Sequence, residues 1–195
     1  MALVIGCSAL HPSPSDSRSL SVKPVVLKGV FIDGPVGGIN YATPTLQGVT
    51  LADGVFEYQA GETVTFSVGG LTLGSTAGKA VITPLDIVPD AKDTSDRRVV
   101  NICVVLQTLD QDGNAGNGIL IHQQAASFIS RYGQEINFNK PVHAFSFDPG
   151  FRNVMAELNN IDAFGAAPRA VKPPALARRH LEASLATVPY FPLKR

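Results

Sequence analysis

The stretch Asp53-Gly54-Val55-Phe56-Glu57-Tyr58-Gln59-Ala60-Gly61-Glu62-Thr63-Val64-Thr65-Phe66-Ser67-Val68 alternates apolar and polar side chains on both sides of a turn at Ala60-Gly61-Glu62. Successive side chains of a strand point to opposite faces, so period two reads as two half-buried strands. The second, Thr63 to Val68, is the cleanest. Working outward, Gly69-Gly70 turns the chain again and Leu71-Thr72-Leu73-Gly74 follows. Upstream, Val25-Val26-Leu27, Val30-Phe31-Ile32 and Ile39-Asn40-Tyr41-Ala42 are β-branched or apolar runs. The turn signals Asp33-Gly34-Pro35 and Gly37-Gly38 separate them. Short strands with glycine at each bend predict a small antiparallel β-sandwich over residues 23–83. Tyr41, Tyr58 and Phe66 fall on strand positions that point into its core.

Residues 84–187 change period. Asp93-Thr94-Ser95-Asp96 offers helix caps before Val99, Ile102, Cys103, Leu106 and Leu109, which recur at helical spacing. Gln123 to Tyr132 predicts a second helix ending at Gly133. Asp148-Pro149 starts a third, with Phe151, Val154, Met155 and Leu158 on its face. Pro173-Pro174 starts a fourth, with Leu176, His180, Leu181 and Leu185 as its face and Pro189 beyond its end. The fold class expected is therefore α+β: a small antiparallel β-sandwich followed by a helical C-terminal half, with an extended tail over 188–195.

Composition agrees. The 195 residues are 45% hydrophobic and 16% charged, so a core is affordable and the chain is not disordered overall. Gly 18 and Pro 14 favour many short elements over a helical bundle. Lys+Arg 16 balance Asp+Glu 16, which argues against a dedicated nucleic-acid binder. The balance is uneven along the chain: residues 1–150 carry 9 basic and 13 acidic side chains, and residues 151–195 carry 7 and 3. The two parts are expected to attract one another across one interface; the alternative is a basic C-terminal face turned toward lipid head groups or an acidic partner.

The series Gly29-Val30-Phe31-Ile32-Asp33-Gly34-Pro35-Val36-Gly37-Gly38-Ile39-Asn40-Tyr41, then Gly48-Val49-Thr50, Asp53-Gly54-Val55-Phe56-Glu57-Tyr58, Gly61-Glu62 and Val64, resembles a carboxypeptidase-regulatory, transthyretin-like sandwich. Leu51 stands where that family often has Asp. Val81-Ile82-Thr83-Pro84-Leu85-Asp86, Val100-Asn101-Ile102, Leu106-Gln107-Thr108-Leu109-Asp110-Gln111-Asp112-Gly113-Asn114 and His180-Leu181-Glu182 extend the likeness to a module of bacterial envelope lipoproteins, over about 28–186. The resemblance implies a transthyretin-like fold and a place in the envelope. It implies no particular activity.

The start of the chain points the same way. Val4-Ile5-Gly6-Cys7 resembles a lipobox, in which a small residue before Cys lets the peptidase reach the bond and the thiol takes the lipid. A complete signal has a basic start and an apolar core of about 7–15 residues. Six residues precede Cys7, none of them Lys or Arg, so either the gene start lies further upstream or the match is a coincidence and the chain has an ordinary start with one free Cys. His11 to Ser19 is a Pro/Ser-rich tether. Residues 1–22 are thus read as anchor and tether. Ser8 implies outer-membrane sorting, by resemblance to lipoproteins generally. Tyr190 and Phe191 in the tail are candidates to anchor in a groove on a protein partner.

Asp110-Gln111-Asp112-Gly113-Asn114-Ala115-Gly116-Asn117-Gly118 is the strongest candidate site. Oxygen donors at alternate positions of a Gly-rich loop suit Ca²⁺, with Asp110, Asp112, Asn114 and Asn117 as ligands. The loop is no EF-hand: Gly113 is fourth, and Ile121 stands at the twelfth position. The competing reading is a polar turn whose Asp and Asn side chains bond their own backbone.

Nucleophilic catalysis finds little support. There is no Gly-x-Ser-x-Gly elbow, phosphate loop or dinucleotide fingerprint, and His11, His122, His143 and His180 are scattered. Cys103 lies in an apolar run and reads as a buried small hydrophobe. His180 reads as a satisfied helix histidine. The function expected is non-enzymatic: an envelope lipoprotein that binds or scaffolds a protein partner. The alternatives are a structural accessory subunit of a larger envelope or extracellular assembly, and a hydrolase or hydrolase-associated domain.

Overall fold

Val30 and Phe31 form the end of a strand whose partners come from two distant parts of the chain. The computed structural model describes residues 25–165 and 168–188. Strand β1 (Val26–Phe31) pairs antiparallel with β5 (Val55–Gln59), with Val30 opposite Val55. Its other edge pairs in parallel with β8 (Val81–Ile82). The second sheet has the order β4-β3-β6-β7: Gln47–Val49, Asn40–Ala42, Thr63–Val68 and Leu71–Ala77, all antiparallel. The alternation read in the sequence is the burial pattern of these strands. Phe56 and Tyr58 point inward from β5; Val64, Phe66 and Val68 do so from β6. Phe31 and Phe56 meet Phe66 across the sandwich, with ring centroids 4.6 and 5.1 Å apart. Tyr41 and Tyr58 are buried with them, as expected.

The helical half follows the cap signals. Helix α1 (Arg97–Thr108) begins at Asp96, whose carboxylate accepts from Arg98 N at 2.8 Å. Ten of its twelve residues are buried, so it runs through the middle of the protein instead of lying on it. Its buried polar residues Asn101, Gln107 and Thr108 are each hydrogen-bonded: Asn101 Nδ2 donates to the carbonyls of Phe138 and Lys140, both at 2.9 Å. Helix α2 (Gln123–Tyr132) ends at Gly133 and runs into a 3-10 turn, Gly133–Glu135. After the short α3 (Val142–Phe145), α4 (Pro149–Asn160) starts at Asp148. One oxygen of Asp148 caps Phe151 N at 3.0 Å and the other meets Lys140 Nζ at 2.6 Å. Helix α5 (Pro174–Thr187) packs on α1. Its buried face is Ala177, Leu181, Ser184 and Leu185. Leu176, expected on that face, is exposed, because the register is fixed by polar contacts of His180 and Ser184 described below.

The fold is α+β, with antiparallel-rich sheets and then a helical half. Among the described residues two pairings between named strands are parallel, and one of them stitches the halves together. Strand β2 (Val36–Gly37) pairs with β9 (Ile119–Leu120). Gly38 is required there. Its φ is +83°, and a Cβ would lie 2.0 Å from the Ile121 carbonyl oxygen. Gly69, in the β6–β7 turn, meets α2 in the same way, with a Cβ position 1.8 Å from the Ala126 carbonyl oxygen. The buried side chains of strands and helices form one hydrophobic cluster. Cys7, the tether and the tail residues Tyr190 and Phe191 lie outside the described residues. Among the described residues no helix is long and apolar enough to cross a membrane.

Candidate functional site

Two polar assemblies stand out. The first is built on the loop that leaves α1. Leu109 closes the helix, and Asp110 bridges to Ile121, so residues 110–121 form a closed excursion returning to β9. Beside it opens a cleft of about 840 Å³, walled by Asp110, Asp112 and Leu120 on one side and by Ala52, Ala163 and Phe164 elsewhere. That volume suits a small ligand or a side chain of a partner.

Asp110 is only 1% exposed. Its Oδ1 accepts from Leu120 N at 2.9 Å, while its Oδ2 is buried with no donor. The Asp110 carboxyl lies against that of Asp112. Asp112 Oδ1 accepts from Asn114 N and its Oδ2 from Asn117 Nδ2, both at 2.8 Å. Asn114 Oδ1 accepts from Gly116 N at 3.3 Å. The loop is therefore curled by side chains bonding its own backbone, and the same curl brings the two carboxyls together. Burial, more than any neighbour, holds the Asp110 carboxyl above its ordinary range. The Asn117 amide, first of several donors, holds Asp112 below it.

The outer wall is fastened by Arg169. Its Nη1 donates to the Asp110 carbonyl at 3.0 Å and its Nη2 to the Gln111 carbonyl at 3.1 Å. Its guanidinium also stacks 4.8 Å from the Phe164 ring centroid. Asn159 holds the Arg169 backbone through bonds of 2.7 and 3.2 Å. All four residues singled out in the sequence thus share one loop. Asp110 and Asp112 meet, Asn117 presents its amide nitrogen, and Asn114 is turned away to Gly116. Among the described residues, no three His, Cys, Asp or Glu side chains gather as a metal set. Sequence reading missed Arg169 and Phe164, which lie far along the chain in a stretch without periodicity.

The second assembly is Asp33, Gln107, Cys103 and His180. Asp33 follows β1 and is fully buried. Gln107 Nε2 reaches its two carboxylate oxygens at 3.2 and 3.0 Å and the Ala177 carbonyl at 2.9 Å. His180 Nε2 donates to the Asp33 carbonyl at 2.8 Å and stands 4.0 Å from the carboxylate. Gly34 N donates to Ser184 Oγ at 2.8 Å. These bonds clamp α5 onto the strand end. Burial pushes the Asp33 carboxyl up to about 6, against the lowering effect of Gln107.

Cysteine, histidine and aspartate are the residue types of a nucleophilic relay, but the arrangement differs from one. A relay needs an accessible thiol paired with an imidazole. Here the thiol faces a carboxylate, and the imidazole is engaged on a backbone carbonyl. Cys103 is fully buried, and burial, followed by the Asp33 charge, pushes its thiol well up. His180 is a satisfied helix histidine, as expected. The role of Asp33 and Gln107 was not read from sequence. The available signal was the Gln107 amide on the apolar face of a mostly apolar helix, which had to find a buried partner.

No protein-family model, curated protein or solved structure matches the chain. The transthyretin-like likeness therefore rests on the motif residues themselves.

Proposed function

We propose that the protein is a non-enzymatic binding module of the cell envelope, carried by an acyl anchor on Cys7. Its binding surface is the cleft beside residues 110–120. The observation that carries this reading is the cleft itself. It combines acidic groups with an apolar wall, whereas the Cys103, His180 and Asp33 set is consumed in holding α5. Apolar side chains are exposed in and beside the cleft: Leu120, in its wall, is 40% exposed, and Leu51, next in the chain to the lining residue Ala52, is 59% exposed. Exposed apolar side chains bordering polar ones are the composition of a protein-binding patch. An outer-membrane location rests on the lipobox resemblance and Ser8.

Two measurements test the proposal. The intact mass of protein from its native cells should match a chain beginning at Cys7 with acyl groups. An unmodified chain beginning at Met1 removes the anchor and the envelope location. Protein retained from envelope extract should then be lost with Leu51→Asp and Leu120→Asp, which add charge without touching the core. Retention unchanged in both variants moves the binding surface elsewhere. The same exposed residues favour a second reading, a subunit of a larger assembly, which predicts co-elution with that assembly on a sizing column. A broad esterase and peptidase screen is expected to be blank.

A further inference from the structure

We propose that Asp110 and Asp112 hold a calcium ion at the floor of the 110–120 cleft. Two carboxyl groups lie within hydrogen-bonding reach of one another there. One oxygen, Asp110 Oδ2, is buried with no hydrogen-bond donor, in a residue that lines the cleft. A buried anionic oxygen without a partner is costly, and native proteins satisfy nearly all of them. The adjacent cation does not meet the need. Arg169 is committed to the Asp110 and Gln111 carbonyls and to the Phe164 ring. A second cation placed between the carboxyls does.

The donor chemistry selects the ion. Neither the loop 110–118 nor the cleft wall offers a thiol or imidazole, so a hard, oxygen-seeking cation is called for. The loop is irregular and glycine-rich, and the cleft leaves room for water. That suits the large, variable shell of Ca²⁺ better than the strict octahedron of Mg²⁺. Asn117 can contribute as well. Its amide nitrogen lies on Asp112 Oδ2, and turning the amide over places its oxygen at the same point. Asn114 stays in its turn with Gly116. With two carboxylates and Arg169 close by, the affinity belongs in the range of about 10⁻⁴–10⁻³ M typical of extracellular modules. The open coordination positions face the cleft, so oxygen donors of a bound partner complete the shell. This last point rests on the cleft being the binding surface; the ion site does not.

The test is calcium alone, titrated into the full chain with the cleft otherwise empty. Loss of the ion and loss of a partner are therefore read separately. At ten times Kd, CaCl₂ should raise Tm by about 3–6 °C, reversed by chelator, with isothermal titration giving one site. MgCl₂ and NaCl at matched ionic strength should do far less. Asp112→Asn, at an exposed position that keeps one acceptor for the loop, should abolish the calcium shift while leaving Tm in chelator within about 2 °C. Asp110→Asn should abolish it as well. No shift at 10 mM calcium overturns the proposal. So does a shift that survives both variants, or one that NaCl reproduces.

Discussion

Asp33 is the residue whose environment departs furthest from what its neighbours in sequence suggest. Asp33-Gly34-Pro35 reads as an exposed turn, yet the carboxyl is fully buried against Gln107, Cys103 and His180, with the charge of Lys172 acting on it from just before α5. Its proton affinity is higher folded than unfolded. Its contribution to stability is therefore full below about pH 4 and is lost as pH rises through about 6. From 3.8 to about 6 the total is about 3 kcal/mol, of which roughly 1–1.5 kcal/mol falls between pH 5 and 7.5. Urea unfolding at those two pH values should show that slope. Asp33→Asn keeps the shape and an acceptor for Gln107, so it should flatten the slope and raise stability at pH 7.5. A variant that keeps the wild-type slope would place the titration elsewhere.

At the scale of elements, local chemistry was legible where one residue sets a boundary. Asp96, Asp148-Pro149, Gly133 and Pro173-Pro174 each mark a helix end found at that place. Caps work within one turn, so neighbours in sequence suffice to define them. Asp96→Ala should cost about 1 kcal/mol in equilibrium unfolding, since Arg98 N loses its acceptor. The strands of β5 and β6 were legible for a similar reason: alternation is local. Strands β2, β4, β8 and β9 carry two or three residues each and no periodic signal. They are strands because a partner lies alongside. The split expected between Val25-Val26-Leu27 and Val30-Phe31-Ile32 is likewise a single strand, since β5 pairs continuously from Val26 to Val30, through Lys28 and Gly29.

On the scale of the whole molecule, the two halves interlock and do not merely attract. The opposite charges of the two parts suggested an electrostatic interface. Among the described residues, the one ionisable pair within 4.0 Å that spans it is His180 with Asp33, while Lys172, Arg169 and Arg178 act on Asp33, Asp112 and Asp93 from further off. Arg178 pairs with Glu182 inside α5, and Arg169 bonds backbone carbonyls. What joins residues 168–188 to the rest is the Asp33 clamp, the Arg169 bonds to the 110–111 backbone and a shared apolar cluster, while the β2–β9 pairing ties the sandwich to the helical half. Unfolding should be a single transition by near- and far-UV circular dichroism. Gly38→Ala should lower its midpoint strongly, by more than about 2 kcal/mol, because a Cβ there meets the Ile121 carbonyl in a conformation glycine favours. Two resolved transitions would mean that the halves fold independently.

By itself the sequence determined the class of the fold, most helix boundaries, the inward face of the central strands and the loop that carries the candidate site. All of these depend on spacing and on contacts within a turn or a hairpin. Only the tertiary structure decided that α1 is central, that β2 pairs with β9, and that Asp33 is buried. It also decided that Arg169 and Phe164 wall the cleft beside Asp110. These depend on which distant segments share a surface. No local period encodes that choice, because it is made by the packing of one common core.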